Sequence, residues 1–194
     1  MSSVAFTMTT PEMLALPDDG LERELIRGQL REREMTRRNR LHAATESRIV
    51  GQLFLWLQNT SGFSAHILSG EAGTVLAENP DTTVGIDVAI FTSQIMDNQP
   101  DDSSLVVGIP LLAVEILSPS DKHEEVREKV REYLRVSVPL VWEVDPDFQT
   151  ICVFQPDREP IMFNRNARID GSDVLPGLSI LVAELFPDWN RTGN

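Results

Sequence analysis

Cysteine is nearly absent from this chain of 194 residues. Cys152 stands alone, which excludes a disulfide framework and any zinc site built on several thiolates. Long apolar runs are also missing. The longest, Ile49 to Leu57 and Leu178 to Leu185, are broken by polar residues within a few positions, so none has the length of a membrane span. Residues 1–10 lack a basic start followed by an apolar stretch, so no secretory signal is visible and a cytoplasmic protein is expected. There is no phosphate-binding glycine loop, no Gly-x-Ser-x-Gly elbow, no internal repeat and no low-complexity segment. Lysine is scarce: Lys122 and Lys129 stand against fifteen arginines. What remains is ordinary globular composition, 41% hydrophobic and 24% charged, which excludes disorder. The length fits one domain, expected over residues 10–187, with flexible ends at 1–9 and 188–194.

The net charge of −13 is unevenly spread. Residues 49–121 hold nine acids and no Lys or Arg, whereas residues 1–48 balance eight of each sign. A protein that coats nucleic acid nonspecifically has the opposite sign. A phosphodiester substrate would need a local basic surface, and the arginine-rich stretch Arg31 to Arg48 is the candidate. The alternative is that these arginines form a solvated face.

The patterning alternates helix and strands. A short helix is expected over Thr10–Leu16, capped by Thr10 with Pro11 behind it. Strands follow at Glu22–Arg27 and Gln29–Met35. Leu41, Thr45, Ile49, Leu53 and Trp56 recur at helical spacing. Phe63–Leu68, Gly73–Ala77 and Gly85–Phe91 read as strands, and Met96–Ser104 as a loop. Pro110–Leu117 is an apolar run suited to a central strand buried on both faces. Asp121–Val136 is a charged helix with an apolar stripe of Val126, Val130, Tyr133 and Leu134. Pro139–Val144, Thr150–Phe154 and Pro160–Asn164 are further strands, and Leu175–Leu185 a strand with a helical turn. This order predicts an α/β (α+β) domain with a mixed central sheet flanked by helices.

Two apolar strands each contain one carboxylate, Asp87 and Glu115. A lone buried carboxylate is expensive unless it is paired, hydrogen-bonded or metal-bound. Two in nearby strands invite a shared divalent cation, and hard oxygen donors point to Mg²⁺ or Mn²⁺. The alternative is that each faces solvent at an edge or accepts backbone N–H bonds. If the acids crowd one another, Asp87→Asn should raise metal-free stability. From Asp121 to Lys129 a helix advances about 12 Å, and Glu115 lies within roughly 10 Å of its strand's end. Lys129 can therefore return to the level of Glu115, where an ammonium would orient a water or offset phosphate charge. Its alternative is a surface pair with Glu125 or Glu132. Lys122 opposes the dipole at the helix start. His42, His66 and His123 show no metal-ligand spacing and read as surface or cap residues. Ser118 reads as capping chemistry, Trp56, Trp142 and Tyr133 as core, and Glu46, one turn after His42, as a solvated helix residue with membership of the site as its alternative.

Taken together, the run Glu24-Leu25-Ile26-Arg27-Gly28, His42, Asp87-Val88, Val114-Glu115-Ile116-Leu117-Ser118-Pro119-Ser120, Lys129 with Tyr133, and Val141 to Pro146 resembles the Uma2 family (DUF820) of restriction-endonuclease-like proteins. The resemblance covers about residues 10–186. It implies a PD-(D/E)XK nuclease fold, with Asp87 and Glu115 as motif acids, Glu24 as an additional acid, and Lys129 as a helix-borne replacement for the lysine usually found two residues after the glutamate. Leu117 occupies that usual position here, and Ile86 stands where the family usually has proline. The implied activity is metal-dependent hydrolysis of DNA phosphodiester bonds, with Asp87, Glu115 and Glu24 on Mg²⁺ or Mn²⁺. A homodimer is expected separately, because dimers are common among nucleases that cut two strands. The rival reading is a catalytically silent nuclease fold that binds nucleic acid or regulates a partner.

Overall fold

The computed structural model describes residues 7–34, 39–101, 103–119 and 123–189. The expected ends at 1–6 and 190–194, Met35, Arg37 and Arg38, Lys122 and the expected helix start at Asp121 lie outside the described residues.

The first helix, α1 (Thr10–Leu14), is capped one residue earlier than the sequence suggests. The Glu12 carboxylate accepts from both the N–H and the hydroxyl of Thr9. Thr10 is committed elsewhere: its N–H and hydroxyl both donate to Asp81. Strands β1 (Leu21–Ile26) and β2 (Gln29–Glu34) form a hairpin. Its two tip residues, Arg27 and Gly28, both take positive φ, as a tight primed turn requires.

Helix α2 (Arg40–Gln58) starts at Asn39, whose side chain accepts from the N–H groups of Leu41 and His42. Its buried residues His42, Thr45, Ile49 and Leu53 fall at three- or four-residue steps, so one stripe faces the sheet. The two strands expected over 63–68 and 73–77 are one, β3 (Ala65–Ala77), antiparallel to β4 (Thr82–Thr92). They are joined through a bulge between Ser69 and Ala72, where Gly70 and Glu71 take φ of 80° and 58°. The polar Ser-Gly-Glu run interrupts the apolar pattern between the two expected strands because a bulge uses left-handed residues there.

A short helix, α3 (Ser93–Asp97), precedes the expected 96–104 loop and takes its first two residues, capped by the Thr92 hydroxyl. Beyond it come β5 (Val106–Val107), β6 (Leu112–Ile116), α4 (His123–Arg135), β7 (Leu140–Asp145), β8 (Thr150–Phe154), β9 (Ile161–Asn164), β10 (Arg168–Asp170) and β11 (Ser179–Leu181). A 3₁₀ turn over Val182–Leu185 follows β11.

The main sheet runs β2-β1-β4-β6-β7-β8-β9, with β3 pairing β4 and β5. Strands β6 and β7 are parallel, and α4 supplies their crossover. Alternation along the central strands divides the core into two layers. Val88, Ile90, Val114, Ile116 and Trp142 pack with Ile49 and Leu53 of α2. Ala89, Phe91, Ala113 and Val141 pack with Val130 and Tyr133 of α4. Most of these side chains are fully buried, each contributing about 1.5–3 kcal/mol for the larger ones. The result is the expected mixed sheet between helices. No helix among the described residues is long and apolar enough to cross a membrane.

Candidate active site

The site forms where the β4–β6 ladder stops. The last paired residues there are Val88 and Val114, so the next opposed positions hold Asp87 and Glu115. The faces of β4 also turn over at Asp87: Ile86 packs in the α4 layer and Val88, two residues on, in the α2 layer. The β3 bulge lies directly across from this point, since Ser69 pairs Val88 and Ala72 pairs Ile86. A bulge that re-aims a side chain is a recurrent device beside active sites.

Asp87 reaches into the gap and accepts the Ile116 N–H at 2.8 Å. Helix α2 supports it from behind. His42 Nε2 lies 3.4 Å from Asp87 Oδ2, and His42 Nδ1 lies 3.9 Å from Glu46 Oε2. The other Glu46 oxygen accepts the Gly70 N–H of the bulge at 2.8 Å. His42 is therefore no surface or cap side chain, because only 1% of it is exposed. Glu46 is not a freely solvated helix residue either.

Glu115 is held from the opposite face by α4. The Tyr133 hydroxyl donates to Glu115 Oε1 at 2.5 Å, and Lys129 Nζ stands 3.0 Å from Glu115 Oε2. The same ammonium donates to the Gly85 carbonyl at 2.7 Å and stands 3.2 Å from Glu24 Oε1. That Glu24 oxygen also accepts the Gly85 N–H at 3.0 Å. Glu24, Asp87, Glu115 and Lys129 all line one polar cleft, with Arg31 and Arg33 of β2 on its wall. The predicted helical return of Lys129 is what the structure shows, rather than a surface pair with Glu125 or Glu132.

Charge in the cleft is unbalanced, with three carboxylates around one ammonium. Burial, with Asp87 and Glu24 close by, pushes Glu115 up to about 7 despite the opposing pull of Lys129 and Tyr133. Lys129 is raised: burial opposes its charge, but Glu115, Glu24 and Asp87 more than compensate. Tyr133 is raised by burial and by Glu115. Asp87 behaves differently. Burial pushes it up, yet the His42 contact, the Ile116 N–H and the Lys129 charge leave it below its ordinary value. The expected repulsion thus resides on Glu115, whereas Asp87 is a held anion, which predicts the opposite sign for the effect of Asp87→Asn on metal-free stability.

The donor set suits a hard cation. Mg²⁺ is commonly bound through one or two carboxylates with water completing its shell, so a full protein cage is not needed. Among the described residues no three His, Cys, Asp or Glu side chains form a ready-made cage. Asp87 and Glu115, facing across an opened ladder in a cleft with surplus negative charge, match the two-carboxylate case.

The other histidines stay apart. His66 is exposed on β3, and the His123 side chain lies outside the described residues. Ser118 receives the Asn39 amide at 3.4 Å, which ties the start of α2 to the end of β6. Reading residues alone missed Tyr133, His42 and Glu46. Tyr133 carried the one available signal, a hydroxyl within the apolar stripe of α4 that needs a partner once buried.

A mixed sheet between helices, opened at its centre beside paired carboxylates and a lysine, defines the restriction-endonuclease-like class. The sequence model of Uma2, described as "Putative restriction endonuclease", matches residues 10–183, and the chain belongs to that family. Among solved structures it is similar to a putative nuclease belonging to DUF820 from Anabaena variabilis ATCC 29413. That likeness has a TM-score of 0.74 at 22% identity and covers 92% of this chain and 97% of the other. It bears on the fold. No curated protein matches the chain.

Proposed function

We propose that this protein is a divalent-metal-dependent endonuclease that hydrolyses DNA phosphodiester bonds. The observation that carries the reading is the convergence of Glu24, Asp87, Glu115 and Lys129 on one cleft, with negative charge in excess. Asp87 and Glu115 would hold Mg²⁺ or Mn²⁺, with Glu24 contributing directly or through water. Such a cation supplies Lewis-acid polarisation of the phosphoryl oxygen and acidifies water. The chain's own residues do the positioning. Tyr133 and Lys129 fix the two Glu115 oxygens, while the Ile116 N–H and His42 fix Asp87. Glu24 and the Gly85 carbonyl aim the Lys129 ammonium into the cleft. There it orients the attacking water and offsets charge gathering on the phosphate. A symmetric homodimer, offering one site to each strand, belongs to the same proposal and is read by light scattering.

The test is calorimetric titration of the protein with Mn²⁺ and Mg²⁺ beside Glu115→Ala, followed by incubation with plasmid and linear DNA. Saturable binding lost in the variant, with nicking or cutting that follows it, is the expected result. No metal binding with or without DNA refutes the enzyme and leaves a nuclease fold that binds or regulates.

A further inference from the structure

A phosphate that enters the cleft meets mostly its own sign of charge. Seven carboxylates line the cleft against three cationic side chains, Arg31, Arg33 and Lys129. One divalent ion does not reverse that balance. Lys129 is buried and divides its charge between Glu24 and Glu115. The further attraction a phosphate needs falls to the two arginines of β2.

The two arginines are engaged to different degrees. Arg31 stands opposite Glu24 in the hairpin but turns to α4. Its Nε and Nη2 grip both oxygens of Glu128 at 3.1 and 2.7 Å, and its Nη1 reaches Gln29 and the Leu30 carbonyl. All three nitrogens are in use. Arg33 donates from Nε to Glu22 at 2.5 Å and from Nη2 to Glu71 at 2.9 Å. A guanidinium carries five N–H donors in a fixed fork. Two bonds leave most of that fork open, and Nη1 donates to none of the described residues. The side chain is 36% exposed, so solvent and solutes reach it.

Arg33 is also tied to the reacting end of the cleft. Its partner Glu71 belongs to the β3 bulge and holds φ of 58°, a left-handed conformation that costs a residue with a Cβ. The Glu71 stem lies over Gly85, where an added Cβ would stand 3.3 Å from the Glu71 Cβ. Gly85 in turn gives its N–H to Glu24 and its carbonyl to Lys129. One glycine thus links the carboxylate that holds Arg33 to the groups around Glu115. The charges agree: burial opposes the Arg33 cation, yet Glu24, Glu22 and Glu115 raise it above its ordinary value. Strain kept beside such a site marks a side chain with a task.

The geometry points to Arg33 as a phosphate-binding residue, held in place by Glu22 and Glu71 while the rest of its fork bonds a backbone phosphate of the DNA in the cleft. The inference rests on the nuclease reading above and names the residue that meets the substrate's charge. Guanidinium suits the task because its fork matches phosphate oxygens, which an ammonium does not.

The experiment pairs two titrations of the full chain. One follows fluorescence anisotropy of a labelled 20-mer, as duplex and as single strand, in Ca²⁺ at several salt concentrations. The other is calorimetry with Mn²⁺ alone. Arg33→Gln should weaken DNA binding about tenfold or more and lower the salt slope by about one. Its Mn²⁺ affinity should stay level or rise, because a cation has left the carboxylates. Arg158→Gln, at an exposed pair with Asp173, should change neither. Unchanged DNA affinity and slope in Arg33→Gln overturn the inference and leave the nuclease reading intact. Loss of Mn²⁺ binding together with DNA binding also overturns it, since Arg33 would then only hold the cleft together. If Arg33→Gln does not melt cooperatively, Arg33→Lys carries the test: it keeps the charge but not the fork. Weaker DNA binding with wild-type Mn²⁺ affinity is then expected, and wild-type affinity for DNA overturns the inference. Wild-type protein that binds neither Mn²⁺ nor DNA overturns both this inference and the nuclease reading.

Discussion

Replacing Glu115 by glutamine will make the metal-free protein more stable in alkaline solution. Glu115 ionises near 7 in the folded chain against an ordinary value of 4.5. That displacement corresponds to about 3 kcal/mol. Below pH 4.5 the group is protonated in both folded and unfolded chains, and it costs nothing. Between 4.5 and 7 the unfolded chain ionises while the folded chain resists, so folded stability falls as pH rises. Above 7 the full cost persists. Glutamine mimics the protonated acid and still accepts from Tyr133, and Lys129 keeps Glu24 and the Gly85 carbonyl. For a chain of this size about 3 kcal/mol moves the melting midpoint by roughly 6–12 °C. Thermal melts in EDTA from pH 4.5 to 8.5 should show the two proteins alike at the acid end and the variant ahead by that margin at pH 8. Parallel pH profiles would refute the reasoning, because they would mean that Glu115 carries no surplus charge. Saturating Mn²⁺ at pH 8 should reverse the order by raising the wild-type midpoint alone.

Asp87→Asn should act in the opposite direction and lower metal-free stability at pH 7. Because Asp87 sits below its ordinary 3.8, that deficit should shrink as pH falls through this value in urea unfolding. Tyr133→Phe should cost about 1.5–3 kcal/mol in the same assay at pH 8, the worth of a hydrogen bond to a charged group. His42→Ala should weaken Mn²⁺ binding by about 10- to 100-fold in calorimetry, as loss of a side chain backing a ligand does. His42→Asn, which restores a donor towards Asp87, should recover most of it, and equal loss in both variants would rule out a positioning role.

The parts of this site legible in the sequence were those that break a local rule. Asp87 and Glu115 interrupt apolar strands, and a carboxylate in such a run demands a partner wherever the strand goes. Lys129 followed from arithmetic, since a helix leaving a strand's end must return along it. Glu24 was different: nothing local marks it among the acids of β1 and β2, and only resemblance to a family singled it out. His42 and Glu46 were misread because their role depends on which strand α2 crosses, a long-range fact absent from helical spacing. The β3 bulge was hidden for a related reason. Gly70 and Glu71 adopt conformations that a turn and a bulge share, and only pairing with β4 separates the two. The short α3 was lost to a polar composition that its Thr92 cap overrides.

The two carboxylates act as the jaws of a caliper whose arms are different helices. Asp87 is braced by α2 through His42, and Glu115 by α4 through Tyr133 and Lys129, with the sheet between them. Sliding α2 along the sheet therefore shifts the Asp87 jaw through His42, and reaches the Glu115 jaw less directly, through the Asn39 bond to Ser118 at the end of β6. Ile49 and Leu53 set the stiffness of that arm by locking α2 into its layer. Gap width, and with it the fit of any ion held there, is thus mechanically tied to whatever rests on α2.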